Sequence, residues 1–282
     1  MKHIYLNLKR FDIPPELGGV NRLAPQADWS PYIVKEPQTV LKEYPASDVE
    51  FVMFFPEAHL LGAVAARIAD SNLKLGRQSV YRADTAVGGN FGAFTTSRTA
   101  NAIKAIGCEA TLIGHCEERN DKAGILAEAG VTDTAAINRL LNQQIKAAQK
   151  AGLSVVYCVG EKSEELERWQ EVLGEQLEVG LAGVDLSGVV IAYEPVWSIG
   201  PGKVPADKDY ITRTARFIKE QTGNLDVVYG GGLKADNARM LASIPEIDGG
   251  LIALTRFQGE IGFYPQEYLE IIRLYLTKEL EA

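Results

Sequence analysis

The chain has 282 residues, 46% of them hydrophobic and 23% charged, a globular balance that excludes a disordered tail protein. Its net charge of −8, with no basic stripe to offset it, excludes a protein that tracks nucleic-acid phosphates. No apolar run reaches the roughly 18 residues of a spanning helix, and Arg67 interrupts the best stretch, so no membrane span is expected.

Eight short β-rich runs follow in chain order: His3–Leu8, Glu50–Phe55, Ser79–Arg82, Ala110–Gly114, Leu153–Val159, Val189–Tyr193, Asp226–Tyr229 and Gly250–Leu254. Most are continuously apolar, as strands buried on both faces of a parallel sheet must be. Segments with helical period separate them. In Asp133–Ala151, residues Ile137, Leu140, Leu141, Ile145 and Ala148 share one face, Thr132 or Thr134 is placed to cap it, and Gly152 to end it. Asp207–Gln221 carries Asp207 and Asp209 in its first turn, where the helix dipole favours acids.

Strands alternating with helices fit a doubly wound sheet or a closed barrel. The count and even spacing favour one α/β domain over residues 1–282, a (β/α)8 barrel, and no linker divides the chain. Two connections are long. Arg10–Lys42 opens with Pro14-Pro15 and Gly18-Gly19, and Glu117–Val131 follows His115 directly. Cys108, Cys116 and Cys158 form no C-x-x-C pair and read as reduced thiols, while the first ten residues lack the apolar stretch of a secretion signal. A cytoplasmic protein is expected. Three histidines are too few for a multi-histidine metal cluster, so no metal is expected.

Barrel chemistry sits where strands end. Run one ends in Asn7-Leu8-Lys9, whose alternation sets Asn7 and Lys9 on one side; run four ends in Gly114-His115-Cys116-Glu117. Run six ends in Glu194, which Pro195 biases toward extended backbone, with Trp197 and Ile199 placed to exclude water and strengthen the carboxylate as a base. Ser198–Lys203 reads as a short lid. Run seven ends in Tyr229-Gly230-Gly231-Gly232. Each residue has a plainer structural reading: an ion pair for Glu194, a core histidine for His115, a surface lysine for Lys9. Cys116 beside His115 suggests a thiol nucleophile, but successive strand residues face opposite ways. Together a carboxylate base, a neutral donor and an ammonium suffice to abstract a proton beside a carbonyl, and glycine-rich strand ends can cradle a phosphate.

The motifs also resemble the triosephosphate isomerase family, in the same order from Asn7 to the last helix. Asn7-x-Lys9 is similar to the family's N-x-K, and Gly92-Ala93-Phe94-Thr95 to the loop that reaches into the partner subunit. Ile113-Gly114-His115-Cys116-Glu117 resembles I/L-G-H-S-E, Tyr157-Cys158-Val159-Gly160-Glu161 resembles C-I-G-E, and Tyr229-Gly230-Gly231 the start of Y-G-G-S. Ala192–Lys203 resembles A-Y-E-P-V-W-A-I-G-T-G-K. The resemblance implies a TIM barrel, normally a homodimer of glycolysis and gluconeogenesis. It implies interconversion of glyceraldehyde 3-phosphate and dihydroxyacetone phosphate through an enediolate without a cofactor. Glu194 is then the base, His115 the neutral electrophile and Lys9 the electrostatic stabiliser. Asn7 positions groups in the pocket, Glu117 sits beside Lys9, residues 195–203 close as a lid, and Gly200 donates to phosphate.

The resemblance sets Gly231, Gly232, Ala253 and Leu254 at the substrate's phosphate, and departures from the family cluster on that side. Gly232 stands where the family has serine, Ala253-Leu254 where it has two glycines, Lys203-Val204-Pro205 at the lid's end, Cys116 for the serine after the histidine, and Glu118 for an arginine. Triose phosphate is the leading substrate. The alternative is another short sugar phosphate, such as a tetrulose phosphate, held through Thr255, Arg256 or the Arg10–Lys42 segment. A barrel that binds a phosphorylated metabolite without turnover is a third reading.

Overall fold

The computed structural model describes residues 1–199 and 203–277. Within them the strands are β1 (Lys2–Asn7), β2 (Val49–Phe55), β3 (Leu73–Gln78), β4 (Ala110–Ile113), β5 (Ser154–Val159), β6 (Val189–Tyr193), β7 (Val227–Tyr229) and β8 (Gly249–Ile252). The helices are α1 (Gln26–Leu41), α2 (Glu57–Ala66), α3 (Ala100–Ile106), α4 (Cys116–Glu128), α5 (Thr134–Lys150), α6 (Trp169–Gly180), α7 (Lys208–Thr222), α8 (Ala238–Ala242) and α9 (Pro265–Leu276). Neighbouring strands pair in parallel in chain order, and β1 closes on β8 with His3 opposite Gly249. The expected (β/α)8 barrel is the fold.

Strand alternation divides the core in two. Tyr5, Val52, Phe54, Leu112, Val156, Ala192, Val228 and Leu251 fill the barrel's interior. Their neighbours Ile4, Leu6, Phe51, Met53, Ile191 and Ile252 face outward and pack with helix residues such as Ile33, Leu141, Ile218 and Ile272. Both faces are apolar, which is why the strands read as unbroken runs. No helix of the described residues is long and apolar enough to cross a membrane.

Three expectations need correction. The third strand is Leu73–Gln78, and Ser79–Arg82 lies just beyond it, with Ser79 turned to a φ of 68°. Glu117–Val131 is largely helix α4, which buries none of its residues and so carries no apolar stripe to betray it. The cap of α5 is neither Thr132 nor Thr134 but Asp133, whose carboxylate accepts the Ala136 N–H at 3.3 Å. The helix ends as expected, with Gly152 at a φ of 75°. Asp207 caps α7 through the Tyr210 N–H at 2.7 Å.

The end of the barrel remote from the strand termini is closed by charge. His3 sits between Glu50 (2.9 Å) and Asp226 (2.7 Å), and Tyr5 and Lys74 also donate to Glu50. Burial opposes charge on both groups, but the pairing wins: Glu50 is held at about 2 and His3 is raised above 6.5. A raised histidine stabilises fully below its unfolded pKa and loses that contribution as pH rises through the folded one. Melting temperature is therefore expected to fall above about pH 6.5 in the native chain, and less steeply in His3→Gln, when thermal unfolding is followed by circular dichroism. Equal slopes would contradict the assignment.

Candidate active site

At the opposite end the strand termini bring Asn7, Lys9, His115 and Glu194 together. Asn7 is 4% exposed, and its Oδ1 accepts the Lys9 N–H (3.1 Å) and the Gln78 side-chain N–H (3.1 Å). Gln78 also donates to the carbonyls of Lys9 and Phe54. Lys9 is thereby held at a φ of 41°, a left-handed conformation that costs a side-chain-bearing residue about 1–3 kcal/mol. Lys9 lies beyond the strand, so this turn, rather than simple alternation, aims it. Among the described residues Lys9 has no ion-pair partner. Glu117, expected beside it, is exposed and lines the same cavity of about 1200 Å³ without pairing with it.

His115 is the N-cap of α4, and its Nδ1 accepts the Glu117 N–H at 3.3 Å. A backbone N–H can only donate, so Nδ1 carries the lone pair and the ring is neutral with its proton on Nε2. Nε2 lies 3.6 Å from Glu194 Oε1. The turn before His115 is clamped on both sides. Glu118 accepts the Gly114 N–H (2.8 Å), and Arg119 donates to the Gly114 carbonyl (2.9 Å). Glu118 also takes bonds from Ser79, Gln144 and Lys122; burial alone would raise its pKa, but the Lys122 ammonium, Ser79 and the Gly114 N–H outweigh it and lower the pKa.

Glu194 is 2% exposed, just past β6. Its backbone N–H joins Val159, and its Oε2 accepts the Cys116 N–H at 2.9 Å. The Cys116 thiol lies 3.8 Å from His115 Nδ1, so the two side chains do not point apart, because both belong to a helix start rather than a strand. Burial and the Glu194 charge push that thiol up to about 11, which keeps it protonated and removes it as a nucleophile. His115, Cys116 and Glu194 hold donor atoms within 4.8 Å of one another. The Nδ1 lone pair is nevertheless already taken by the Glu117 N–H and Nε2 carries the proton, so neither ring nitrogen stands ready as a metal ligand in this arrangement.

Sequence reasoning left two residues without a role. Gln78 ends β3, just before the Ser79–Arg82 run. Glu161 is wholly buried, and a single oxygen accepts from Tyr193 (2.8 Å), Trp197 (2.7 Å) and Tyr210 (2.9 Å). Trp197 therefore anchors the first turn of the loop after Glu194 to Glu161, just past β5, and packs on Tyr210 of α7. Gly200 falls outside the described residues.

On the phosphate side, Gly232 has a φ of 101°, and its carbonyl is turned to the Asn237 amide (2.9 Å). Among the described residues the N–H groups of Gly231, Gly232, Ala253 and Leu254 donate to no protein acceptor. The hydroxyl is missing, but the backbone donors are there. Thr255 and Arg256 do not supplement them: both bind Glu267, and Arg256 stacks 3.9 Å from the Tyr264 ring centroid. The longer-substrate alternative loses that support.

The family model for triosephosphate isomerase matches residues 33–273. The chain is 37% identical to the triosephosphate isomerase of Geobacter metallireducens over 220 residues, covering 73% of this chain and 80% of that protein. It is 33% identical to that of Chlamydia trachomatis over 255 residues, 84% of each. The crystal structure of triosephosphate isomerase from Bartonella henselae shares the fold, with a TM-score of 0.72 at 24% identity over 98% of this chain and 99% of that one. The chain belongs to the triosephosphate isomerase family.

Proposed function

We propose that this chain interconverts glyceraldehyde 3-phosphate and dihydroxyacetone phosphate by proton transfer through an enediolate, with Glu194, His115 and Lys9 as its catalytic residues. Glu194 takes the proton from the carbon beside the carbonyl and returns it to the neighbouring carbon. The His115 Nε2–H donates to the substrate oxygen that gains charge, and the Lys9 ammonium stabilises that charge. This pairing of a carboxylate base with a neutral histidine is the one known for the family. Asn7 holds Lys9 in place, Glu117 lends its backbone N–H to His115, and Gly231, Gly232, Ala253 and Leu254 offer N–H groups to phosphate, with Gly200 assigned the same task from the lid. The observation that carries the reading is the fixed tautomer of His115 beside a buried carboxylate. Turnover of glyceraldehyde 3-phosphate by the purified protein tests it, and folded protein without turnover would contradict it.

A homodimer belongs to the same reading. Val87 and Phe91 are almost wholly exposed at the tip of the loop that leads to Gly92–Thr95, and Phe91 has a φ of 55°. Two bare apolar side chains on one loop suit insertion into a second copy, and the cavity beside Lys9 has room for them. Sedimentation velocity at micromolar concentration is expected to give a dimer, and Phe91→Asp a monomer. A monomeric native chain would contradict the assembly.

A further inference from the structure

The Lys234 side chain lies beside Gly232, past the end of β7, and reaches the connection after β8 at Phe257; it has no assigned purpose. Its Cε is 3.4 Å from where a Cβ on Gly232 would stand, so the lysine stem runs within van der Waals reach of the position whose side chain is missing. Its Nζ rests 4.3 Å from the centroid of the half-exposed Phe257 ring, which belongs to the connection after β8. The backbone beneath it is fixed. The Lys234 N–H donates to Asn237 Oδ1 (2.8 Å), and the Leu233 N–H donates to Leu251 (3.0 Å). Among the described residues no carboxylate pairs with the ammonium.

Electrostatics make this arrangement informative. Among the described residues the N–H groups of Gly231, Gly232, Ala253 and Leu254 find no acceptor, and they lie at the ends of two adjacent parallel strands near the partly buried Lys234, whose ammonium pairs with no carboxylate there. Like-signed charge gathered in this way is unfavourable until an anion enters. The ring face holds the cation in reserve through a weak contact that a full negative charge can outbid.

We infer that Lys234 is a specificity-determining residue that binds the substrate's phosphate as a charged side chain in place of the hydroxyl lost at Gly232. The inference rests on the proposed isomerase reading and extends it: the site demands a phosphoryl dianion and discriminates against the uncharged sugar. Arg256 and Thr255 cannot serve in this way because Glu267 already holds both.

The test is calorimetric titration of the native chain, Lys234→Met and Lys234→Arg with inorganic phosphate, each variant's fold being checked by circular dichroism. Lys234→Met is expected to weaken phosphate binding about tenfold or more and to flatten its salt dependence, while Lys234→Arg stays within about threefold of native. The ratio of kcat/KM for glyceraldehyde 3-phosphate to that for unphosphorylated glyceraldehyde should fall to the same extent in Lys234→Met. Native-like phosphate affinity in Lys234→Met would overturn the inference, as would equal losses in both variants, which point to packing on Phe257, or no phosphate binding by the native chain. Lysine-dependent phosphate binding without triose phosphate turnover would overturn the isomerase reading and leave Lys234 in place. Turnover that is indifferent to Lys234→Met would do the reverse.

Discussion

Glu194→Gln is expected to lower kcat for triose phosphate interconversion by about 10²- to 10⁴-fold with little change in KM. The amide is the same size, and its oxygen can still accept the Cys116 N–H that the carboxylate holds at 2.9 Å, so the geometry survives while the base is lost. Stability should not fall, because a side chain only 2% exposed gives up a buried charge. Glu194→Asp separates basicity from reach. It keeps the carboxylate but withdraws it by about one bond, and a misplacement near 1 Å costs about 10²-fold. Steady-state kinetics with thermal melts of both variants decide the matter. A Glu194→Gln enzyme within tenfold of native would remove Glu194 as the base.

Substitution at Lys9 should separate activity from stability in the other direction. Lys9→Gly is expected to abolish the electrostatic stabilisation of the enediolate, lowering kcat/KM by about 10²- to 10³-fold or more. It should also raise stability by up to about 1 kcal/mol, because glycine accepts a φ of 41° without the strain a side chain bears there. Lys9→Met keeps the strain and removes only the charge, so it should lose comparable activity without the gain in stability. Kinetics paired with denaturant unfolding measure both quantities on the same samples. Native activity in Lys9→Met would mean that the strained turn serves packing alone.

The barrel was legible because its strands are buried on both faces, so most appear as unbroken apolar runs. β3 was misplaced for the same reason in reverse. Lys74 and Arg77 interrupt its pattern, and only the fold supplies their partners, Glu50 and Glu57. Val80-Tyr81, just past the strand, looks more strand-like than the strand itself. α4 escaped because a helix with no buried residue has no stripe to show, and its start is held by a histidine cap that no simple capping rule favours.

Asn7, Lys9, His115 and Glu194 could be named because polar residues that end apolar runs are conspicuous. Their geometry could not. The left-handed turn at Lys9 depends on Gln78, 69 residues away, and Glu161 collects donors from β6, from Trp197 in the loop after Glu194, and from α7. Arg256 looked like a replacement phosphate ligand. Its engagement with Glu267, eleven residues on, follows from the loop that carries it and not from its spacing.

The central claim is that a carboxylate shuttles one proton between adjacent carbons of a triose phosphate. The direct measurement is proton NMR of dihydroxyacetone phosphate and glyceraldehyde 3-phosphate incubated with the native chain in deuterium oxide. Interconversion, with deuterium entering the carbon from which the proton is taken and with both processes lost in Glu194→Gln, is the result the account predicts. Folded, phosphate-binding protein that neither interconverts the two compounds nor exchanges that proton would contradict it.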